Sequence, residues 1–208
     1  MVLDPNVYKA LLRPLLFLLP AESAQRVADV ALRRWTSWKA LSNHLVVSDE
    51  RLHVDWCGHT LSNPIGLAAG FDKTCELLPA LAALGFGYVV GGTVTAQAKS
   101  GHPKPRLVRN TSDKSLVNAM GFPNEGAKVS ALSLEQSRIN LTGTPVVVSI
   151  AGSQILDVLT CHTLLEPIVD VIEINISSPN TAGLKIFQEP SMLEELIERV
   201  NEQRIKPL

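Results

Sequence analysis

The sequence lacks long apolar runs, has few cysteines and carries almost no net charge, and each shortage removes a class of protein. Its 208 residues hold 19 Lys and Arg against 20 Asp and Glu, a formal net charge of −1. That balance leaves no basic footprint for nucleic acid. A hydrophobic content of 46% is too high for an intrinsically disordered chain. Cys57, Cys75 and Cys161 are odd in number and show no CxxC or Cys/His ligand spacing, which argues against a disulfide framework or a zinc site. Cys161 and His162 are neighbours, but adjacency does not make a dyad, and a packed thiol is the expectation. Thiols of this kind fit a reducing interior. Tyr8 to Pro20, YKALLRPLLFLLP, falls far short of the ~20 apolar residues that span a bilayer and is interrupted by Arg13 and Pro14. It has neither a signal-peptide cleavage site nor the Arg/Ser-rich makeup of a transit peptide. No internal repeat or low-complexity segment is present.

What is there begins with two short amphipathic helices. Pro20-Ala21-Glu22-Ser23 starts the second, with Val27, Ala28, Val30, Ala31 and Leu32 on its apolar side. Arg26, Arg33 and Arg34 form its basic side, and Trp35 and Trp38 follow. Such helices either lie in a membrane interface or pack on the domain behind them; the pattern alone leaves both open.

Beyond them, Val54 to Leu61 reads as a hairpin turning at Cys57-Gly58. After Asn63-Pro64, strands are expected at Ile65–Ala69, Tyr88–Thr93, Val146–Ile150 and Val171–Ile176. They alternate with helices at Glu76–Leu84, Glu125–Ile139, Ile155–Leu165 and Pro190–Arg204. This alternation implies a parallel α/β sheet, as part of either a (β/α)8 barrel or a doubly wound fold. The last strand is the most informative. Its β-branched residues give way to Ser177-Ser178-Pro179-Asn180-Thr181-Ala182-Gly183, where Pro179 prevents strand or helix from simply continuing. Short polar side chains at the carboxyl end of a parallel sheet are where α/β enzymes place chemistry.

Asn175-x-Ser-Ser-Pro-Asn-Thr-x-Gly-Leu resembles the active-site loop of class 2 dihydroorotate dehydrogenases, the membrane-associated, quinone-using class. The resemblance implies an FMN-binding (β/α)8 barrel and makes Ser178 the catalytic base, where class 1 enzymes carry cysteine. Ala68-Ala69-Gly70-Phe71-Asp72-Lys73 is similar to the family's flavin- and orotate-contacting loop, with Ala68, Ala69 and Gly70 against the flavin and Lys73 serving both substrate and flavin. Gly92 and Thr93 map onto a flavin-contacting pair. Asn118, with Gly121 and Phe122 in Asn-Ala-Met-Gly-Phe-Pro-Asn, maps onto the substrate loop. Asn175, Asn180 and Thr181 complete the substrate contacts, and Asn175 is also a flavin contact. Ser149 stands where many relatives carry asparagine, and it can still hydrogen-bond flavin with shorter reach. Arg109, in PKPRLVR, resembles an arginine at the quinone entrance. The pattern Arg-Pro-Leu-Leu-Phe with Pro-x-Glu-Ser-Ala-x-Arg resembles the family's amino-terminal extension, although Gln25 stands where many relatives have histidine.

These likenesses imply oxidation of dihydroorotate to orotate in pyrimidine biosynthesis. Ser178 takes a proton from C5, a hydride leaves C6 for FMN, and electrons pass to a membrane quinone. They further imply residues 1–45 as a membrane and quinone-access extension, residues 46–208 as the amino-terminal half of the barrel, and a peripheral place on the cytoplasmic side of the cell membrane. Only four strand-helix units can be counted, against the eight of a closed barrel of about 250 residues. The expectation is therefore a fragment of a longer protein, or a half-barrel completed by a second chain. An inert product, or another FMN-dependent pyrimidine oxidoreductase, is the alternative.

Overall fold

A computed structural model of the chain describes residues 7–141, 143–177 and 184–208. The amino-terminal layer is helical. A π-helical turn, Tyr8–Leu12, runs into α1 (Arg13–Phe17), where Pro14 is the second residue and offers no N–H to the turn before it. Helix α2 (Ala21–Leu32) follows Pro20, and α3 (Trp35–Leu45) follows after a short break. This third helix is absent from the sequence expectation, because Trp35-Thr36-Ser37 offers no side-chain cap and two poor helix formers. Trp38 joins the pair, its Nε1 donating to the carbonyl of Ala31 at 3.0 Å. Leu11, Leu15, Leu18 and Val30 remain exposed, so the layer shows an apolar face to its surroundings. No described helix is long and apolar enough to cross a membrane.

The hairpin of β1 (Val54–Trp56) and β2 (His59–Leu61) turns through Cys57 and Gly58, both at positive φ, as anticipated. Strands β3 (Gly66–Asp72) and β4 (Tyr88–Thr95) come next. A second antiparallel hairpin, β5 (Leu107–Asn110) with β6 (Ser115–Asn118), follows, and then β7 (Val146–Ala151) and β8 (Val171–Ile174). The helices beside the sheet are α4 (Leu78–Ala83), α5 (Ala127–Arg138), α6 (Ile155–Leu165) and α7 (Pro190–Asn201). The β5–β6 hairpin was not anticipated. Most of its residues are exposed, so burial never imposed a clean alternation on them.

The main sheet is parallel with strand order β3-β4-β7-β8. The strands follow chain order without reversal. A doubly wound sheet reverses at its switch point, so the winding is that of a (β/α) barrel; among the described residues the barrel is not closed. Strands β4 and β7 are buried on both faces, which is why they read as near-continuous apolar runs. One face packs on the helices through Val89, Val148, Ile150, Leu134, Leu165 and Leu196. The other carries Val90, Val147 and Val171 and is covered at the amino end by Trp56, stacked on Tyr88 at 4.9 Å between ring centroids. The packed thiol expected at Cys161 is found: Cys161, like Cys75, is buried and free, and burial, with Asp157 adding, pushes the Cys161 thiol up to about 12.

Two boundaries differ in a way that matters to the site. The first barrel strand, expected to end at Ala69, continues through Asp72 with a shifted register after Leu67, so Gly70 joins Ala68 and Ala69 inside its irregular end. The fourth strand stops at Ile174, and Asn175 still donates its backbone N–H to Ile150 at 2.8 Å.

Candidate active site

The parallel ladder brings polar side chains together at its carboxyl edge. Gly92 pairs with Ser149 and Val94 with Ile150, so Thr93 is an extra, unpaired residue in β4. A bulge of this kind re-aims a side chain. The Thr93 hydroxyl lies 3.1 Å from Ser149 Oγ and accepts from Asn175 Nδ2 at 3.1 Å. Asn175 Oδ1 in turn accepts from the backbone N–H and hydroxyl of Ser177, at 3.0 and 2.9 Å. A hydrogen-bonded row thus crosses β7, β4 and β8. At Gly92, φ is +102°, and a Cβ would come within 2.5 Å of the Ser149 carbonyl, so no other residue fits there without displacement.

The loop from Asn118 to Asn124 closes over this row. Asn124, almost fully buried, is its anchor. Its Oδ1 accepts from the backbone N–H of Thr95 and of Gly126, and its Nδ2 donates to the Thr95 hydroxyl and the Phe122 carbonyl. Gly121 and Phe122 both have positive φ, and a Cβ on Gly121 would meet His102 at 2.8 Å. The His102 ring shares a hydrogen bond with the Ala119 carbonyl at 2.9 Å.

Together these elements enclose a cleft of about 500 Å³ lined by Ala69, Gly70, Lys73, Thr93, Asn118, Gly121, Phe122 and Asn175. Eight of the residues singled out in the sequence therefore meet in one place. Lys73 is the single charged side chain among the described lining residues, and its Nζ donates to the Gly70 carbonyl. Burial holds the Lys73 ammonium below its usual range. Ser149 is fully buried one layer beneath Thr93 and does not line the cleft. Ala68 and Arg109 line an adjoining, mostly apolar cleft of about 400 Å³, which shares Gln25, Ala69, Gly70, Leu107 and Leu116 with the first. Arg109 donates to the Leu19 carbonyl at 2.9 Å and stacks over the Phe17 ring at 4.6 Å, so it braces the amino-terminal layer. Ser178, Asn180 and Thr181 lie outside the described residues.

A sequence model of the dihydroorotate dehydrogenase family matches residues 51–208. The chain belongs to the dihydroorotate dehydrogenase family. It is 39% identical over 203 residues to a dihydroorotate dehydrogenase (quinone) of Deinococcus deserti, covering 93% of this chain and 56% of that protein. It is 40% identical over 204 residues to a protein of the same name from Thermus thermophilus, covering 93% of this chain and 59% of that one. The chain thus spans less than two thirds of the length of these relatives. A crystal structure of a DHODH from Eimeria tenella with ferulenol superposes with a TM-score of 0.67 at 29% identity, over 81% of this chain and 50% of that one. The ligand-free structure gives 0.70.

Within this dihydroorotate dehydrogenase fold, sequence reasoning missed the contributions of Gln25, Leu107, Leu116, Met120 and Pro123 to the cleft wall. Gln25 reaches it from α2, its Nε2 donating to the Phe71 carbonyl at 3.3 Å. The departure from histidine at that position was the available signal. Leu107 and Leu116 belong to the unanticipated hairpin and gave none. The Thr93–Ser149 bond generates a direct expectation. Thr93→Val leaves the buried Ser149 hydroxyl without its partner and should cost about 2 kcal/mol of stability. In a Ser149→Ala background the same change should cost clearly less, as measured by urea denaturation of the four proteins. Equal costs in both backgrounds would show the bond to be inert.

Proposed function

We propose that this protein oxidises (S)-dihydroorotate to orotate in de novo UMP biosynthesis, with FMN as redox cofactor and a membrane quinone as electron acceptor. The observation that carries the reading is the convergence of Lys73, Thr93, Asn118 and Asn175 on one cleft at the carboxyl edge of a (β/α) sheet. The residues present suit a flavin. A Cβ at Gly70 would meet nothing within 4 Å, so the β3 end offers an open, low wall for a flat ring. The donors Lys73, Thr93 and Asn175 match carbonyl-rich heterocycles. The size of the cleft is in the range of cofactor sites.

When bound, FMN would supply a two-electron acceptor. The chain's own residues would do the rest. Lys73 would balance the substrate carboxylate, and Asn118, Asn175, Asn180 and Thr181 would grip the amide edges of the pyrimidine. The backbone of Gly121 and Phe122 would close the cleft from water. Ser178 would remove the proton from C5, which requires that its weak basicity be raised by desolvation and a hydrogen-bonded acceptor. Ala68 and Gly92 would shape the flavin wall, and Ser149 would act on it through Thr93.

The adjoining apolar cleft suits a quinone, with Arg109 on its rim and Ala21 and Ala28 of α2 on its outer wall. Residues 1–45 are then the membrane and quinone-access layer, and residues 46–208 the amino-terminal half of the barrel. The exposed apolar side chains of the layer support peripheral attachment to the cytoplasmic side of the cell membrane. Completion of the sheet by further strands, from this or a second polypeptide, belongs to the same reading.

Two measurements test it. In anaerobic solution with FMN, dihydroorotate should bleach the flavin band, and Ser178→Ala should abolish bleaching at neutral pH while leaving flavin affinity unchanged. Bleaching at a near-normal rate in the variant would remove Ser178 from the base role, and none in the parent would favour an inert half-barrel. Deleting residues 1–40 should release the protein from co-sedimentation with anionic lipid vesicles; unchanged co-sedimentation would contradict the membrane assignment.

A further inference from the structure

The amino-terminal layer meets the site along one stripe of α2. Glu22, Gln25, Asp29 and Arg33 are spaced three or four residues apart and so share a helix face. Glu22 pairs with Arg106, Gln25 donates to the Phe71 carbonyl, and Arg33 pairs with Glu76. Asp29 lies between the last two contacts and lines, with Lys73, a polar cleft of about 400 Å³ that adjoins the active-site cleft. Lys73 therefore lines both cavities, together with Gln25, Met120 and Pro123.

Three carboxylates act on Lys73 across that space: Asp29, Glu22 and Asp72. Glu22 is already committed, accepting from Arg106 Nε at 3.0 Å and Nη2 at 3.3 Å and facing Lys104 at 3.2 Å. The fork of Arg106 is itself engaged by Glu22, which leaves it a weaker opponent of the lysine's charge. Asp72 is turned away, accepting from the backbone N–H of Leu77 at 2.8 Å and of Glu76 at 3.3 Å at the start of α4. Arg26, Lys99 and Glu125 complete the charged lining. Asp29 differs from the other two carboxylates: its Oδ1 is buried with no hydrogen-bond partner among the described residues. A buried carboxylate oxygen left unpaired is costly, and the cation it faces across the cleft is Lys73.

We propose that Asp29 is the counter-ion of Lys73, a positioning residue through which the amino-terminal helical layer favours the charged form of the cation in the active-site cleft. No direct hydrogen bond joins the two side chains; the attraction acts across a cleft whose protein walls weaken screening. Burial alone drives Lys73 toward its neutral form, and Asp29 is the largest opposing influence. Reciprocally, burial raises the Asp29 carboxyl above its usual range, while Lys73 and Arg33 oppose that rise. Removing the Asp29 charge should therefore let the lysine lose its proton at lower pH. The consequence for substrate binding rests on the function proposed above; the pairing itself does not.

The test is competitive labelling of the full chain with acetic anhydride across a pH series, read peptide by peptide by mass spectrometry, without flavin or substrate. The amine reacts only when neutral, so the midpoint of labelling reports the lysine's protonation. In D29N the Lys73 midpoint should fall to lower pH, while those of Lys99 and Lys104 stay in place. D29E, which keeps the charge on a longer stem, should hold the parent midpoint. E22Q should move Lys73 less than D29N does. An unmoved Lys73 midpoint in D29N would overturn the proposal. So would a common shift of all three lysines, a fall in D29E as large as in D29N, or a larger fall in E22Q. Failure of dihydroorotate to bleach flavin in the parent would count against the proposed function and leave the labelling result standing.

Discussion

The fixed register between β4 and β7 decides where the hydrogen-bonded row of the site, Thr93, Ser149 and Asn175, comes to lie. Val89, Val90 and Gly91 pair in step with Val146, Val147 and Val148, and the ladder then slips by one residue between Gly92 and Val94. The slip leaves Thr93 out of step and places its hydroxyl between Ser149 and Asn175. A strand shifted by one residue reverses the faces of all its side chains. With both faces buried, neither strand can slide to another register without exposing valines. The hydrophobic core thus sets the geometry of the polar edge.

That dependence explains which parts could be read from the sequence. Strands such as Val146-Val147-Val148-Ser149-Ile150 are legible because burial on both faces leaves a continuous β-branched run. The turn at Cys57-Gly58 is legible because the hairpin needs two left-handed residues there. The β5–β6 hairpin is stabilised by its own ladder and by contacts with the amino-terminal layer, and its exposed residues carried no pattern. Helix α3 packs on α4 and is tied to α2 by the Trp38 hydrogen bond, tertiary contacts that local propensity does not encode.

At the site, residue identities were more legible than their depth. Lys73, Asn118 and Asn175 come from separate segments and converge as expected. Ser149 was placed on the flavin by its position at a strand end, yet it lies a layer below, because only the bulge at Thr93 determines which side chain reaches the cleft. Asn124 was given no role of its own at the end of the substrate-loop string, although it supplies the hydrogen bonds that fix the Phe122 carbonyl and the start of α5. Such a role depends on long-range partners that no local string displays.

The amino-terminal layer and the sheet share the site's walls, with Gln25 entering both the active-site cleft and the adjoining apolar one. The adjoining cleft shares the β3 wall of Ala69 and Gly70, so a ring against that wall would be within reach of both chambers. The central claim is that this wall, with the Thr93–Asn175 row, receives an isoalloxazine ring. The most direct test is titration of lumiflavin, which carries the ring without a phosphate, against the protein, followed by quenching of flavin fluorescence. The account predicts saturable quenching that weakens on Ala69→Val, a substitution in the same wall at a residue without positive φ, while the fold is retained. Quenching that is absent, or unchanged by that substitution, would contradict it.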